Sequence, residues 1–191
     1  MKRVIQRLTN NLIVRAYIEE QDRELYEYAI FSILLHIIPV IIIWIIGILL
    51  GKTFEYLLFI ISFLIIRKYS GGYHADSLSH CIVQSSVVII TTLLLVSNIN
   101  INNIFKIFTI GAAIMVFILS PLENENKPLS ITDRHFYRRV IGILLLINVC
   151  LGYFFYVIGN VALYAHMSVV IILVFLLQIV EIIKGNVKKH K

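Results

Sequence analysis

Residues 29–50, AIFSILLHIIPVIIIWIIGILL, run for 22 positions without an aspartate, glutamate, lysine or arginine. About 20 such residues in a helix match the ~30 Å hydrocarbon core of a bilayer. Apolar runs with at most one charged residue each follow at 82–99, 104–120, 140–159 and 161–183, with a shorter one at 54–66. Across 191 residues the chain is 59% hydrophobic, where soluble domains run closer to half. The reading is an all-α, polytopic membrane helix bundle of about six transmembrane helices. The shorter run is the weak member: 13 residues rise only about 20 Å. Lys52 and Arg67 could snorkel from its ends, or the segment could be re-entrant.

Lysine and arginine placement decides between these. With six spans and the N-terminus inside, only Lys52 and Lys106 of the 17 lysines and arginines lie outside. If 54–66 does not span, the best split falls to 11 against 6. Six spans with both termini cytoplasmic are therefore expected, which puts residues 67–81 on the cytoplasmic face. The net charge of +6 follows this positive-inside pattern and calls for no nucleic-acid partner.

Residues 1–28 read differently. Val4, Ile5, Leu8, Leu12, Ile13, Ala16 and Tyr17 recur at helical spacing among Arg3, Arg7 and Arg15. That is an amphipathic helix suited to the inner membrane surface. It ends in EEQDRE, where a turn into the first span is expected. The segment is too charged for a cleavable signal peptide. Cys81 and Cys150 offer no disulfide framework, and Cys150, in an apolar run, is expected to pack.

The reactive side chains gather in RKYSGGYHADSLSHC, residues 67–81. A cysteine attacks as thiolate, a minor fraction at neutral pH unless a base or positive field helps. Cys81 immediately precedes an apolar run. If Ser77 or Ser79 caps that helix, Cys81 lies in its first turn, where unpaired amides favour a negative charge. His80 is adjacent but points elsewhere on a helix. His74 shares the face of Cys81, yet a continuous helix would hold them about 10.5 Å apart along the axis. His74 can serve as base only if the chain breaks between them. Gly71 and Gly72 supply backbone angles that end a helix. Asp76 could orient the imidazole. His74, Asp76, His80 and Cys81 match no standard zinc spacing, so neither metal nor other cofactor is expected.

This stretch closely resembles the accessory gene regulator B family, bacterial membrane endopeptidases that process the precursor of a cyclic autoinducing peptide. The resemblance rests on Arg67, then Gly71-Gly72-Tyr73-His74-Ala75, then Cys81 seven residues after the histidine. SPLENENKPLS, residues 120–130, is similar to the family's Pro–Asn–Lys–Pro loop through Pro121, Asn126, Lys127 and Pro128. The resemblance implies that His74 and Cys81 are catalytic. It implies a cysteine endopeptidase that cleaves on the cytoplasmic side and closes a thiolactone or lactone through an acyl-thioester. It also implies a homodimer. The domain reading is then an interfacial helix, 1–28, followed by a transmembrane peptidase domain, 29–191, with its catalytic loop at 67–81.

Arg67, Lys127, Arg134 and Arg138 are candidates to grip the acidic tail of a short precursor that has an amphipathic leader. The competing reading for this basic stretch is contact with anionic membrane lipid. Gln84 and Ser85, one turn past Cys81, could donate to an oxyanion. His36 lies inside the first span, with Pro39 nearby. Two other classes compete. A peptide transporter would favour broken helices in repeated halves, which are not seen. A lipid-modifying enzyme would need a phosphate or metal motif.

Overall fold

The computed structural model describes residues 2–15, 17, 19–71, 78–96, 98–122 and 130–189. These form seven α-helices and one 3₁₀ turn, with no strand among them. In chain order they are α1 (Lys2–Val14), the 3₁₀ turn Glu20–Asp22, α2 (Arg23–Leu49), α3 (Thr53–Ser70), α4 (Leu78–Val96), α5 (Asn103–Leu119), α6 (Ile131–Val157) and α7 (Val161–Lys189).

The last helix is the central post. Buried residues run almost unbroken along α7 from Leu163 to Val174, and α3, α4, α5 and α6 all pack against it. A helix that is apolar all round is stable only when neighbours or lipid cover it. On α3, Tyr56, Phe59, Ile60, Phe63 and Ile66 recur every three or four residues and are buried. They meet Val170, Ile171 and Val174 in one apolar core with Val116, Ile141 and Leu145. The outward faces are equally apolar: Ile41 and Ile48 on α2, Leu95 on α4, Ile104 and Ile107 on α5, Leu146 on α6 are all exposed. So much outward hydrocarbon on four helices fits a lipid surround, not water. Thr132–Val157 of α6 and Val161–Lys184 of α7 are each long and apolar enough to cross a membrane.

Specific residues set the helix ends. Gly51, at φ +65°, closes α2, with Lys52 N–H donating to Gly47 carbonyl at 2.8 Å. The side chains of Asn102, Ser130 and Asn160 accept from backbone N–H groups at 2.9–3.1 Å, capping α5, α6 and α7.

These ends correct the sequence boundaries. The helix expected over 54–66 spans 18 residues, about 27 Å, because it continues through Arg67 and Lys68 to Ser70. The helix expected from 140 starts at Ile131, where Ser130 caps it. The first long helix starts at Arg23, six residues before its apolar run. The N-terminal helix stops at Val14, short of Tyr17, whose N–H reaches back to Leu12 carbonyl at 3.0 Å. Of its apolar set, Ile5 is buried while Val4 and Leu8 stay exposed.

Arg23 ties the corner between α1 and α2. Its guanidinium donates to both Glu20 carboxylate oxygens, at 2.6 and 3.1 Å, and to Asn10 Oδ1 at 2.6 Å. The hydrogen bond from Arg23 holds the Glu20 carboxyl below its ordinary value.

Candidate active site

Helix α3 ends where the glycine pair begins. Gly71 takes φ +75°, and its N–H donates to Arg67 carbonyl at 3.2 Å. A helix C-terminus leaves carbonyls without intrahelical partners. The Ser70 carbonyl solves this twice over. It accepts from Leu122 N–H at 3.0 Å and from Gln178 Nε2 of α7 at 3.2 Å. The same Nε2 donates to Ser120 Oγ at 3.0 Å. Ser70, Ser120 and Gln178 are all buried. The Gln178 amide therefore clamps the end of α3 to the chain leaving α5.

The clamp also explains Gly71. A Cβ at this position would lie 2.3 Å from Leu122 carbonyl oxygen, far inside contact distance. Only glycine combines that approach with a positive φ. Described parts of the two segments singled out in the sequence, Ser70 and Gly71 of 67–81 and Ser120 and Leu122 of 120–130, thus meet at one joint. Tyr69 and Tyr137 pack ring to ring beside it, centroids 5.2 Å apart, which brings the start of α6 to the same end.

The sequence candidates distribute around this joint. Arg67 is half-buried, its guanidinium carbon 5.7 Å from the Phe63 ring centroid. Lys68 is exposed, with Nζ 5.4 Å from the Tyr69 ring. Pro121 follows Ser120 directly. Arg134 is exposed on the second turn of α6, and Arg138 lies over the Phe117 ring at 5.7 Å. Helix α4 begins at Leu78, so Cys81 falls in its first turn. Ser79 is inside that helix and is not its cap. Gly72, Tyr73, His74, Ala75, Asp76, Ser77 and Lys127 lie outside the described residues, as do the side chains of Cys81, Gln84, Ser85 and His36. Among the described residues, no three His, Cys, Asp or Glu side chains come together.

Cys150 departs from expectation. It is exposed, because it sits across α6 from the buried face formed by Ile141, Leu145 and Asn148. Gln178, Ser70 and Ser120 escaped the sequence reading. The available signal was an amide in an apolar span, which needs a buried partner. His166 was also missed. It is buried on α7 between Tyr56 and Phe59, with Nδ1 2.7 Å from Ala162 carbonyl. Twelve residues, about 18 Å, separate it along the helix from Gln178, so it belongs to the other end of the bundle.

Comparison with known proteins agrees along nearly the whole chain. The profile of the family described as Accessory gene regulator B matches residues 2–182. An AgrB-like protein of Clostridium perfringens strain SM101 is 28% identical over 158 residues, covering 78% of this chain and 72% of its own. AgrB-like protein 1 of strain 13 is 31% identical over 128 residues, covering 59% of this chain and 68% of its own. No solved structure matches.

Proposed function

The chain belongs to the accessory gene regulator B family, and from that premise we propose that it is a membrane-embedded cysteine endopeptidase that cyclises its peptide product. Family membership brings a role in processing an autoinducing-peptide precursor at a membrane. The finer reading assigns His74 as base and Cys81 as nucleophile. The observation that carries it is the end of α3 at Ser70 with Gly71 at positive φ. One straight helix through 67–81 would hold the pair too far apart, and α3 does not continue. The start of α4 at Leu78 adds support, since a first-turn thiol sits where helix amides favour thiolate.

In this mechanism His74 removes the proton from Cys81, and the thiolate attacks a precursor carbonyl. The peptide C–N bond breaks, the imidazolium returns the proton to the departing amine, and the acyl group stays as a thioester on Cys81. A thiol or hydroxyl of the same precursor then attacks that thioester, closes the ring and releases Cys81. Water would give a linear product, so a shielded site favours cyclisation. Asp76 orients the imidazole, and Gln84 or Ser85 donates to the oxyanion. Of the four basic candidates, Arg67, Lys127 and Arg134 face the acidic tail, while Arg138 lies over the Phe117 ring. The chain spans the membrane six times, with both termini and the active site cytoplasmic, α1 on the inner surface, and a second copy completing a homodimer.

Co-expression with an autoinducing-peptide precursor tests this. Mass spectrometry should find the released tail and a cyclic product with the wild type, and neither with Cys81→Ala or His74→Ala. Cleavage that persists in Cys81→Ala would overturn the assignment.

A further inference from the structure

His135, Arg138, Arg139, Gly142, Ile143 and Leu146 fall three or one residues apart along α6, and so form a single helical stripe. Together with Phe117 of α5 they line an open cleft of about 480 Å³. Its floor depends on Gly142. A Cβ there would lie 3.1 Å from Phe117 Cε2, so the missing side chain is what lets the ring lie against α6. The Arg138 guanidinium rests over that ring at 5.7 Å. Among the described residues, no carboxylate lines the cleft.

We propose that this cleft binds one anionic phospholipid, its headgroup on Arg138, Arg139 and His135 and an acyl chain along Gly142, Ile143 and Leu146. The stripe has the dimensions of a leaflet. From His135 to Leu146 the helix rises about 16 Å, and half of a hydrocarbon core is about 15 Å. Its polar groups therefore sit at headgroup depth while Leu146, 65% exposed, reaches the middle of the bilayer. Tyr137, on the turn between His135 and Arg138, packs on Tyr69, which sets the mouth level with the end of α3.

Charge chooses the headgroup. Two guanidiniums can fork onto phosphate oxygens, and a zwitterionic headgroup would bring its own cation against them. The apolar lower part chooses lipid over peptide. An acidic peptide laid into it would leave backbone amides unpaired in hydrocarbon, whereas an acyl chain has none to satisfy. This site is independent of the cleavage chemistry proposed above.

The test reconstitutes the full chain in phosphatidylcholine vesicles carrying trace spin-labelled phosphatidylglycerol or spin-labelled phosphatidylcholine. Each arginine near an anionic surface adds a factor of about five, so the pair should favour phosphatidylglycerol roughly twenty-five-fold at one saturable site. Arg138→Gln with Arg139→Gln should abolish the preference. Lys52→Gln with Lys106→Gln, the same charge change at the other end of the bundle, should leave it intact. Gly142→Leu fills the cleft without touching charge and should release the immobilised lipid. The proposal is overturned if the double arginine variant keeps the preference. It is equally overturned if a tetraglutamate peptide displaces the lipid label at the affinity of phosphatidylglycerol. Self-association that occupies the cleft, read as cross-linking between copies through Ile143→Cys with no lipid selectivity, also rejects it.

Discussion

Replacing Gly71 with alanine should destabilise the bundle by about 3 kcal/mol, and two other glycines calibrate that figure. Gly51, Gly71 and Gly159 have φ of +65°, +75° and +82°. An L-residue at positive φ costs about 1 kcal/mol or more, and Gly71, with ψ −161°, lies in a region that is essentially glycine's alone, where the cost reaches about 1–3 kcal/mol before any contact is counted. At Gly51 and Gly159 an added Cβ meets nothing within 4 Å, so alanine there should cost little more than the first of these figures. At Gly71 the Cβ falls 2.3 Å from Leu122 oxygen. Relieving that overlap requires the two backbones to separate by roughly 1 Å, which stretches the 3.0 Å bond from Leu122 N–H to Ser70 carbonyl beyond hydrogen-bond range. A buried amide left without its acceptor costs about 1–3 kcal/mol more. Reversible unfolding in mixed micelles, followed by helix signal, would compare all three alanine variants. If Gly71→Ala falls within about 0.5 kcal/mol of Gly51→Ala, Leu122 does not approach Gly71 and the clamp described above is wrong.

Other parts of the structure give sharper signs than magnitudes. Gln178→Leu removes two donated bonds but also a buried carboxamide oxygen that has no partner among the described residues, so its net cost should stay at about 1 kcal/mol. Gln178→Glu instead sets a carboxylate against Ser70 carbonyl and should cost more than about 3 kcal/mol in the same unfolding assay. Ser130→Ala should cost about 1 kcal/mol and fray the first turn of α6, visible as faster amide exchange at residues 132–134. The α1–α2 corner should loosen in acid. Glu20 is depressed in the folded chain, so its contribution is present above its unfolded value, near 4.5, and is lost as pH falls through the lower folded one. A fluorophore pair on α1 and α2 should report this opening in the wild type and a flat pH response in Arg23→Gln.

The parts of this architecture that were legible in the sequence are those a single segment determines. Apolar runs located six long helices, and Gly71 marked the end of one. The ends themselves were less legible, because hydrophobicity marks the part of a helix that meets oil, whereas caps mark where hydrogen bonding starts. Ser130 and the turn at Glu20–Asp22 extend α6 and α2 through charged residues that an apolar count leaves out. The clamp was least legible. Ser70, Ser120 and Gln178 lie 50 and 58 residues apart in sequence; Ser70 and Ser120 alone are ordinary polar residues at helix ends, and Gln178 is a lone amide inside α7. Their pairing follows from α7 standing at the centre, which no local pattern states. It bears directly on the proposed chemistry. Gln178 holds the last residue of α3, so the chain carrying His74 starts from a point fixed by three helices rather than from a fraying end. A proton transfer needs its two heavy atoms within about 3 Å, and such a distance is easier to hold when the loop is short and one end is pinned. Gln178→Leu should therefore lower cyclic product relative to linear even where total cleavage survives, because a loosely held site admits water to the thioester.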